Sequence, residues 1–167
     1  LGSNLTPPLS LSFDDEGIYF NPQQASRLES ILNHAHFHPH ELDTANELIQ
    51  QLIKHHLNKY NVGSETSLPT LPETERRILV PGQVEDDASI RFGTTRIQTN
   101  LALLQAVRQA NPDAYIIYKP HPDVLSGNRI GDIPPAQVLN YANKLIENAN
   151  ISVCIDVVDE IHTMTSL

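Results

Sequence analysis

Glu85, Asp86 and Asp87 are three consecutive carboxylates that closely follow an apolar run, Ile78-Leu79-Val80, and the turn-forming pair Pro81-Gly82. Like charges so close raise at least one pKa unless a cation, hydrogen bonds or open water compensate. Carboxylates in that position suit general acid/base work, nucleophilic attack or the support of a positive centre. A second apolar run, Tyr115-Ile116-Ile117-Tyr118, opens into Lys119-Pro120-His121-Pro122-Asp123. Two prolines fix the backbone around His121, and a held imidazole can donate to a phosphate oxygen or, when protonated, offset leaving-group charge.

Both sets have plain structural readings. The acidic run also suits a solvated loop or an Asp capping the next helix, and on residue chemistry alone that reading has the edge. His121 equally suits a packed turn. His34, His36, His38 and His40 alternate, which suggests metal ligands only if the segment is a strand. Its flanks are helical in pattern, Pro39 interrupts, and no Cys or well-spaced acid completes a zinc pattern, so a surface turn between helices is expected and no metal site. Arg91 and Arg96 are expected to balance the acidic loop rather than to touch a sugar carboxylate.

The elements that must position these residues follow from periodicity. Pro7, Pro8 and Pro22 around a strand-like Leu9 to Phe13 predict an extended lead-in. Ser26 with Glu29 has capping-box spacing, opening a helix that Pro39 ends at the latest. From about Glu41, Leu42, Ala45, Leu48, Ile49, Leu52, Ile53 and Leu57 form one apolar stripe on a long helix, with Asn61 and Gly63 as its stop. Residues 64–75 read as a proline-punctuated linker between an N-terminal segment, 1–63, and an α/β domain, 76–167. In the latter, a strand at 77–83, a helix near 96–110, a strand at 114–119, a helix near 136–148 and a strand at 159–164 are expected. Residues 151–157 fit a strand or a short helix equally. Alternating strands and helices imply parallel strands with right-handed crossovers, hence a Rossmann-like sheet with ligands beyond the carboxyl ends of its strands.

Composition narrows the function classes. At 167 residues and 40% hydrophobic, the chain suits one globular domain with a core, or one layer of a larger one. A formal charge of −9, with Lys and Arg unclustered, argues against nucleic-acid binding but not against one phosphate held by a Lys, a His and a helix N-terminus. No apolar run reaches the length of a membrane span and no signal-like start is present, so a cytoplasmic protein is expected. The single cysteine, Cys154, lies in an apolar run and reads as a core residue. Neither GxGxxG nor GxxxxGK[ST] occurs, which weakens dinucleotide and P-loop readings.

The strings ILVPGQVEDDASI, YKPHPD and VDEIHTMTSL together resemble the KpsC/LipA-type capsule polysaccharide biosynthesis proteins, and SLSFDDEGIYFNP and KYNVG extend the likeness over most of the chain. The resemblance implies a Rossmann-like half of a GT-B glycosyltransferase, preceded by a helical segment. It implies an enzyme that takes Kdo from CMP-Kdo, with no other cofactor, and adds it to a lipid-linked poly-Kdo acceptor. The partners would be other capsule proteins at the inner membrane, where the protein would be peripheral. In the family pattern a GFEALLRGK-like helix and a PFYAGWG-like segment follow His-Thr-Met-Thr-Ser. Here the chain stops at Leu167, so a fragment of a longer enzyme is expected.

Site roles come from the same resemblance. Related transferases carry a key aspartate in the pattern Gln-x-x-x-Asp-x-Ser, which Gln83, Asp87 and Ser89 match. Loss of CMP leaves an oxocarbenium-like centre at the anomeric carbon. A β-configured donor giving a β-linked product implies retention, hence a glycosyl-aspartate on Asp87, with Glu85 and Asp86 as weaker candidates for proton transfer. The family's HP motif places His121 and Pro122 at the nucleotide phosphate, with Lys119 supplying donor-site charge. Thr163, Thr165 and Ser166 would join them at a helix N-terminus. The competing expectation is a non-catalytic nucleotide-sugar-binding or scaffolding domain of a capsule biosynthesis or export complex. A generic nucleotide-binding Rossmann module stands behind both.

Overall fold

The computed structural model describes residues 11, 13–19, 21–55, 70–73 and 76–165. Most of the strand-like Leu9 to Phe13 stretch, the KYNVG segment with Asn61 and Gly63, the linker from 64 to 69, and Ser166 lie outside those residues.

Helix α1, Arg27–His34, starts as its sequence predicts: the Ser26 side chain accepts from Glu29 N while the Glu29 carboxylate accepts from Ser26 N. Pro39 does more than end a segment, for it occupies the first turn of α2, Pro39–Lys54, where a missing N–H is harmless. That helix begins two residues earlier than periodicity suggests and closes at His55. Among the described residues its apolar stripe is left exposed: Leu48 and Ile53 are each about 60% exposed, and neither helix buries a residue. The four alternating histidines span the end of α1 and the start of α2, with His38 stacked on His40.

The α/β part is built on β1, Arg77–Pro81, and β2, Tyr115–Lys119, parallel and in register with Pro81 opposite Lys119. Two short strands extend it, β3 at Lys144–Leu145 beside β2 and β4 at Glu160–Ile161 beside β1, giving the order β3-β2-β1-β4, all parallel. Successive side chains point to opposite faces. Ile78, Val80, Ile116 and Tyr118 therefore meet α4, Asn100–Ala110, through Leu103, Leu104 and Val107. Leu79 and Ile117 meet Ile146, Ala149 and Cys154 on the other face, the last from α7, Ile151–Ile155. The ambiguous 151–157 run is thus helical, and Cys154 is a buried core residue. Arg76 donates two hydrogen bonds to Glu160, whose carboxyl this contact, with His162, holds down to about 2; the start of β1 is tied to β4 in this way.

Two expectations need correction. The helix near 96–110 starts at Asn100, with Thr99 as its cap, and a short helix α3, Ala88–Gly93, precedes it. More substantially, 136–148 is not one helix: only Pro135–Val138 is helical (α6, after a short α5 at Pro122–Leu125), and β3 follows. Asn143 explains the change. Its Oδ1 accepts from Ile116 N at 2.9 Å and from Arg108 Nη2 at 2.6 Å, so its side chain continues the ladder beside β2 where a helix could not. Tertiary pairing overrides local periodicity here.

Ile116 is fully buried, and removing the Asn143 amide leaves its N–H without that acceptor. Asn143→Ala is expected to cost about 1–3 kcal/mol, the usual penalty for an orphaned buried donor. Urea midpoints of the two proteins at equal m-value check it.

Candidate functional site

The strand order places a topological switch point between β1 and β4. The chain leaves β1 for α4 on one face, whereas β4 is reached through α7 on the other. In open α/β sheets the crevice beyond the strand ends at such a point is where ligands bind. The loops there are 82–87 after β1, 120–123 after β2 and 162–165 after β4.

Close approach holds the first two loops together. Gly82 N donates to Lys119 O at 2.7 Å, and a Cβ on Gly82 would lie 2.6 Å from the Tyr118 hydroxyl and 3.2 Å from His121 N. Only glycine fits. The third loop is held by Gln83, whose Oε1 accepts from Met164 N at 2.8 Å and Thr165 N at 3.2 Å while its Nε2 donates to Thr165 Oγ1 at 2.6 Å. Both ends of the Gln83 amide are therefore engaged in holding Thr165 at the end of β1. Thr163 Oγ1 adds a contact to Thr165 O within the turn.

Asn100 is a residue the sequence reading missed. Buried to 1% exposure, it accepts at Oδ1 from Gln83 N and donates from Nδ2 to Gln83 O and Gly131 O, each at 2.8 Å. Gly131 makes room with φ 137°, since a Cβ there would press on that same amide. A lone Asn near a helix start gives no sign of such contacts, because its partners are 17 and 31 residues away.

Each of the three carboxylates has its own counter-group. Glu85 Oε1 accepts from Asn100 N at 2.7 Å, which fixes it at the start of α4. Asp86 pairs with Arg129 at 3.1 Å. Asp87 is the N-cap of α3, accepting from Ser89 N and Ser89 Oγ, both at 3.0 Å. The balancing role expected of Arg91 and Arg96 therefore falls to Arg129, and Arg91 instead lies over the Phe92 ring. Glu85 and Asp132, after burial itself, hold the Tyr118 phenol protonated.

His121 is only 17% exposed at its side chain, and its Nδ1 accepts from Asp123 N at 3.1 Å. An acceptor at Nδ1 puts the N–H of the neutral ring on Nε2, the form that donates. Pro122 follows in the first turn of α5. Lys119 ends β2 on the face opposite Tyr118 and is 5% exposed. Burial pushes its ammonium below the ordinary 10.5, with a small opposing effect from Cys154, whose thiol burial pushes up. No carboxylate forms an ion pair with Lys119 among the described residues, where no cluster suited to a metal ion occurs either.

The family model described as capsule polysaccharide biosynthesis protein matches residues 35–167, which include every one of these loops. The chain belongs to that family. It is 56% identical over its whole length to the capsule polysaccharide modification protein LipA of Neisseria meningitidis serogroup B, covering 24% of that protein. It is 38% identical to the lipopolysaccharide-processing protein LpsZ of Rhizobium meliloti, covering 39%. The chain thus spans about a quarter of the length of the LipA proteins it matches. Among solved structures, the KpsC β-Kdo 2,4 transferase of Thermosulfurimonas dismutans matches with TM-score 0.81 at 29% identity, over 97% of this chain and 51% of that one. The β-Kdo 2,7 transferase of the same organism matches with TM-score 0.73 at 37% identity, over 92% and 45%. The fold is accordingly α/β and Rossmann-like, one half of a GT-B arrangement. No helix among the described residues is long and apolar enough to cross a membrane.

A buried cation without a carboxylate weakens the fold. Between the lowered folded-state pKa of Lys119 and the ordinary 10.5, the unfolded chain holds a proton that the folded chain does not, so stability from this group rises with pH. Lys119→Met is therefore expected to be at least as stable as the parent at pH 7, with its advantage shrinking as pH climbs toward 10.5. Denaturant melts at pH 7 and pH 10 measure the change.

Proposed function

We propose that this chain belongs to a retaining β-Kdo transferase and that its α/β domain, 76–167, holds CMP-Kdo. The observation that carries the proposal is the placement of Gln83 to Asp87 and Lys119 to Pro122 on adjacent in-register strand ends, with the β4 loop tied to the first. The solved relatives with the same fold are named as β-Kdo transferases, which supports the same chemistry here.

In this reading Asp87 attacks the anomeric carbon as CMP departs with the bonding electrons on its phosphate. The resulting glycosyl ester is then displaced by an acceptor hydroxyl, whose proton passes to a base, and two inversions give net retention. His121 Nε2–H and the Lys119 ammonium offset charge on the departing phosphate, with Pro122 setting the loop and Thr165 and Ser166 completing the anion site. Glu85 and Gln83 act on the shape of the β1 loop, one through Asn100 and the other through Thr165. The acceptor is lipid-linked poly-Kdo, and the whole protein works peripherally at the cytoplasmic side of the inner membrane with other capsule proteins.

One observation favours the alternative of a non-catalytic sugar-nucleotide or scaffolding domain: the Asp87 carboxylate already caps α3. Substitution by Asn separates the two readings, because Asn caps a helix about as well as Asp but makes a poor nucleophile. In the full-length protein, Asp87→Asn is expected to fold, keep CMP affinity and lose Kdo transfer, while Glu85→Gln and Asp86→Asn are milder. Transfer from CMP-Kdo to a synthetic acceptor, with circular dichroism for folding, tests this; near-parental turnover in Asp87→Asn rejects the assignment. His121→Ala is expected to weaken donor use by about 2–4 kcal/mol in the transition state, the scale for one aimed donor. An unchanged kcat/KM for CMP-Kdo removes His121 from the site.

A further inference from the structure

Beside the switch point lies an open cleft of about 300 Å³, bounded by Thr94, Thr95, Arg96 and Ile97 beyond α3 and by Thr163 and Met164 after β4. Among the described residues Arg96 is the one charged residue lining it, which makes that lining positive in a chain of charge −9. The nearby acids have other partners: Asp86 is neutralised by Arg129, and Glu85 faces the start of α4. Nothing in the acidic loop calls on the Arg96 guanidinium, and no ion pair joins it to a carboxylate among the described residues. Threonines stand beside it, and Ile97, Leu103 and Met164 supply an apolar wall. A guanidinium, hydroxyls and an apolar wall match the carboxylate, hydroxyls and C–H face of an acidic sugar. The far wall is held in place by Gln83 through Met164 N, so the cleft and the β1 loop form one unit.

Position decides which sugar. Asp87 caps the start of α3, whose six residues rise about 9 Å, and Arg96 follows three residues past its other end. In a 2-keto sugar acid the carboxylate sits on the anomeric carbon itself, so the donor carboxylate must stay beside Asp87 during reaction. The carboxylate one sugar unit away belongs to the acceptor. We propose that the cleft between α3 and the Thr163–Met164 turn takes the carboxylate of the acceptor's terminal sugar acid, with Arg96 as its partner. The assignment of that sugar to the acceptor rests on the transferase reading, whereas the binding of an acidic sugar at Arg96 is tested without turnover.

The test uses the full-length protein, its Arg96→Gln and Arg96→Lys variants, and two synthetic acceptors, one ending in Kdo and the other in its C1 amide. By calorimetry, the free acid is expected to bind the parent on the order of ten- to a hundred-fold more tightly than the amide, the range of a charge-assisted hydrogen bond. Arg96→Gln should abolish that preference and Arg96→Lys should keep part of it. In transfer assays Arg96→Gln should raise KM for the free acid far more than KM for the amide or for CMP-Kdo. Equal affinity of the Gln variant and the parent for the acid overturns the proposal, as does an equal loss on acid and amide. Acid-selective binding lost in Arg96→Gln, without transfer by any protein, would keep the acidic-sugar site and sink the transferase reading. Transfer indifferent to Arg96 would do the reverse.

Discussion

The buried amide of Asn100 is the constraint on which the site depends. It lies away from water, so every polar atom it carries needs a partner, and an unmet group there is destabilising. Its partners are the N–H and C=O of Gln83 and the carbonyl of Gly131, while its own N–H goes to Glu85. One side chain thus sets the exit of β1, the start of α4 and the path of the loop before α6. With Gln83 held by its backbone, its side chain is aimed across the sheet at Thr165. The β4 loop inherits its position from a residue two steps removed.

The charge arrangement follows the same economy. Three adjacent carboxylates would repel one another if left together, yet each is drawn to a different element: Glu85 to α4, Asp86 to Arg129 and Asp87 to α3. Dispersal of the acids lowers their mutual repulsion in the β1 loop. The opposite choice is made at Lys119, a cation buried at the end of β2 without a carboxylate. The fold accepts that penalty at the edge of the sheet where ligands enter, which fits a residue held for something outside the protein.

Much of this was legible in the sequence, and the limits have physical causes. The β-branched runs announced β1 and β2, the Ser26–Glu29 spacing announced the start of α1, and Asp87 as a helix cap was one of the two readings of the acidic run. These depend on neighbours a few residues apart. Missed were β3, whose ladder is continued by the Asn143 side chain, and the Arg129–Asp86 pair, 43 residues apart. Asn100 and the grip of Gln83 on Thr165 escaped for the same reason. The apolar stripe of α2 shows the converse, since periodicity places the helix but does not say what covers its face.

The link between Gln83 and Thr165 also has a consequence during synthesis. The two residues are 82 positions apart, so at ~5–20 residues per second the ribosome delivers the second roughly 4–16 s after the first. Until β4 is made, β1 can pair only with β2, and only once that strand has itself been made, so its Ile78-Leu79 edge stands open to other chains. An internal strand of the finished sheet is thus an edge strand in the nascent chain.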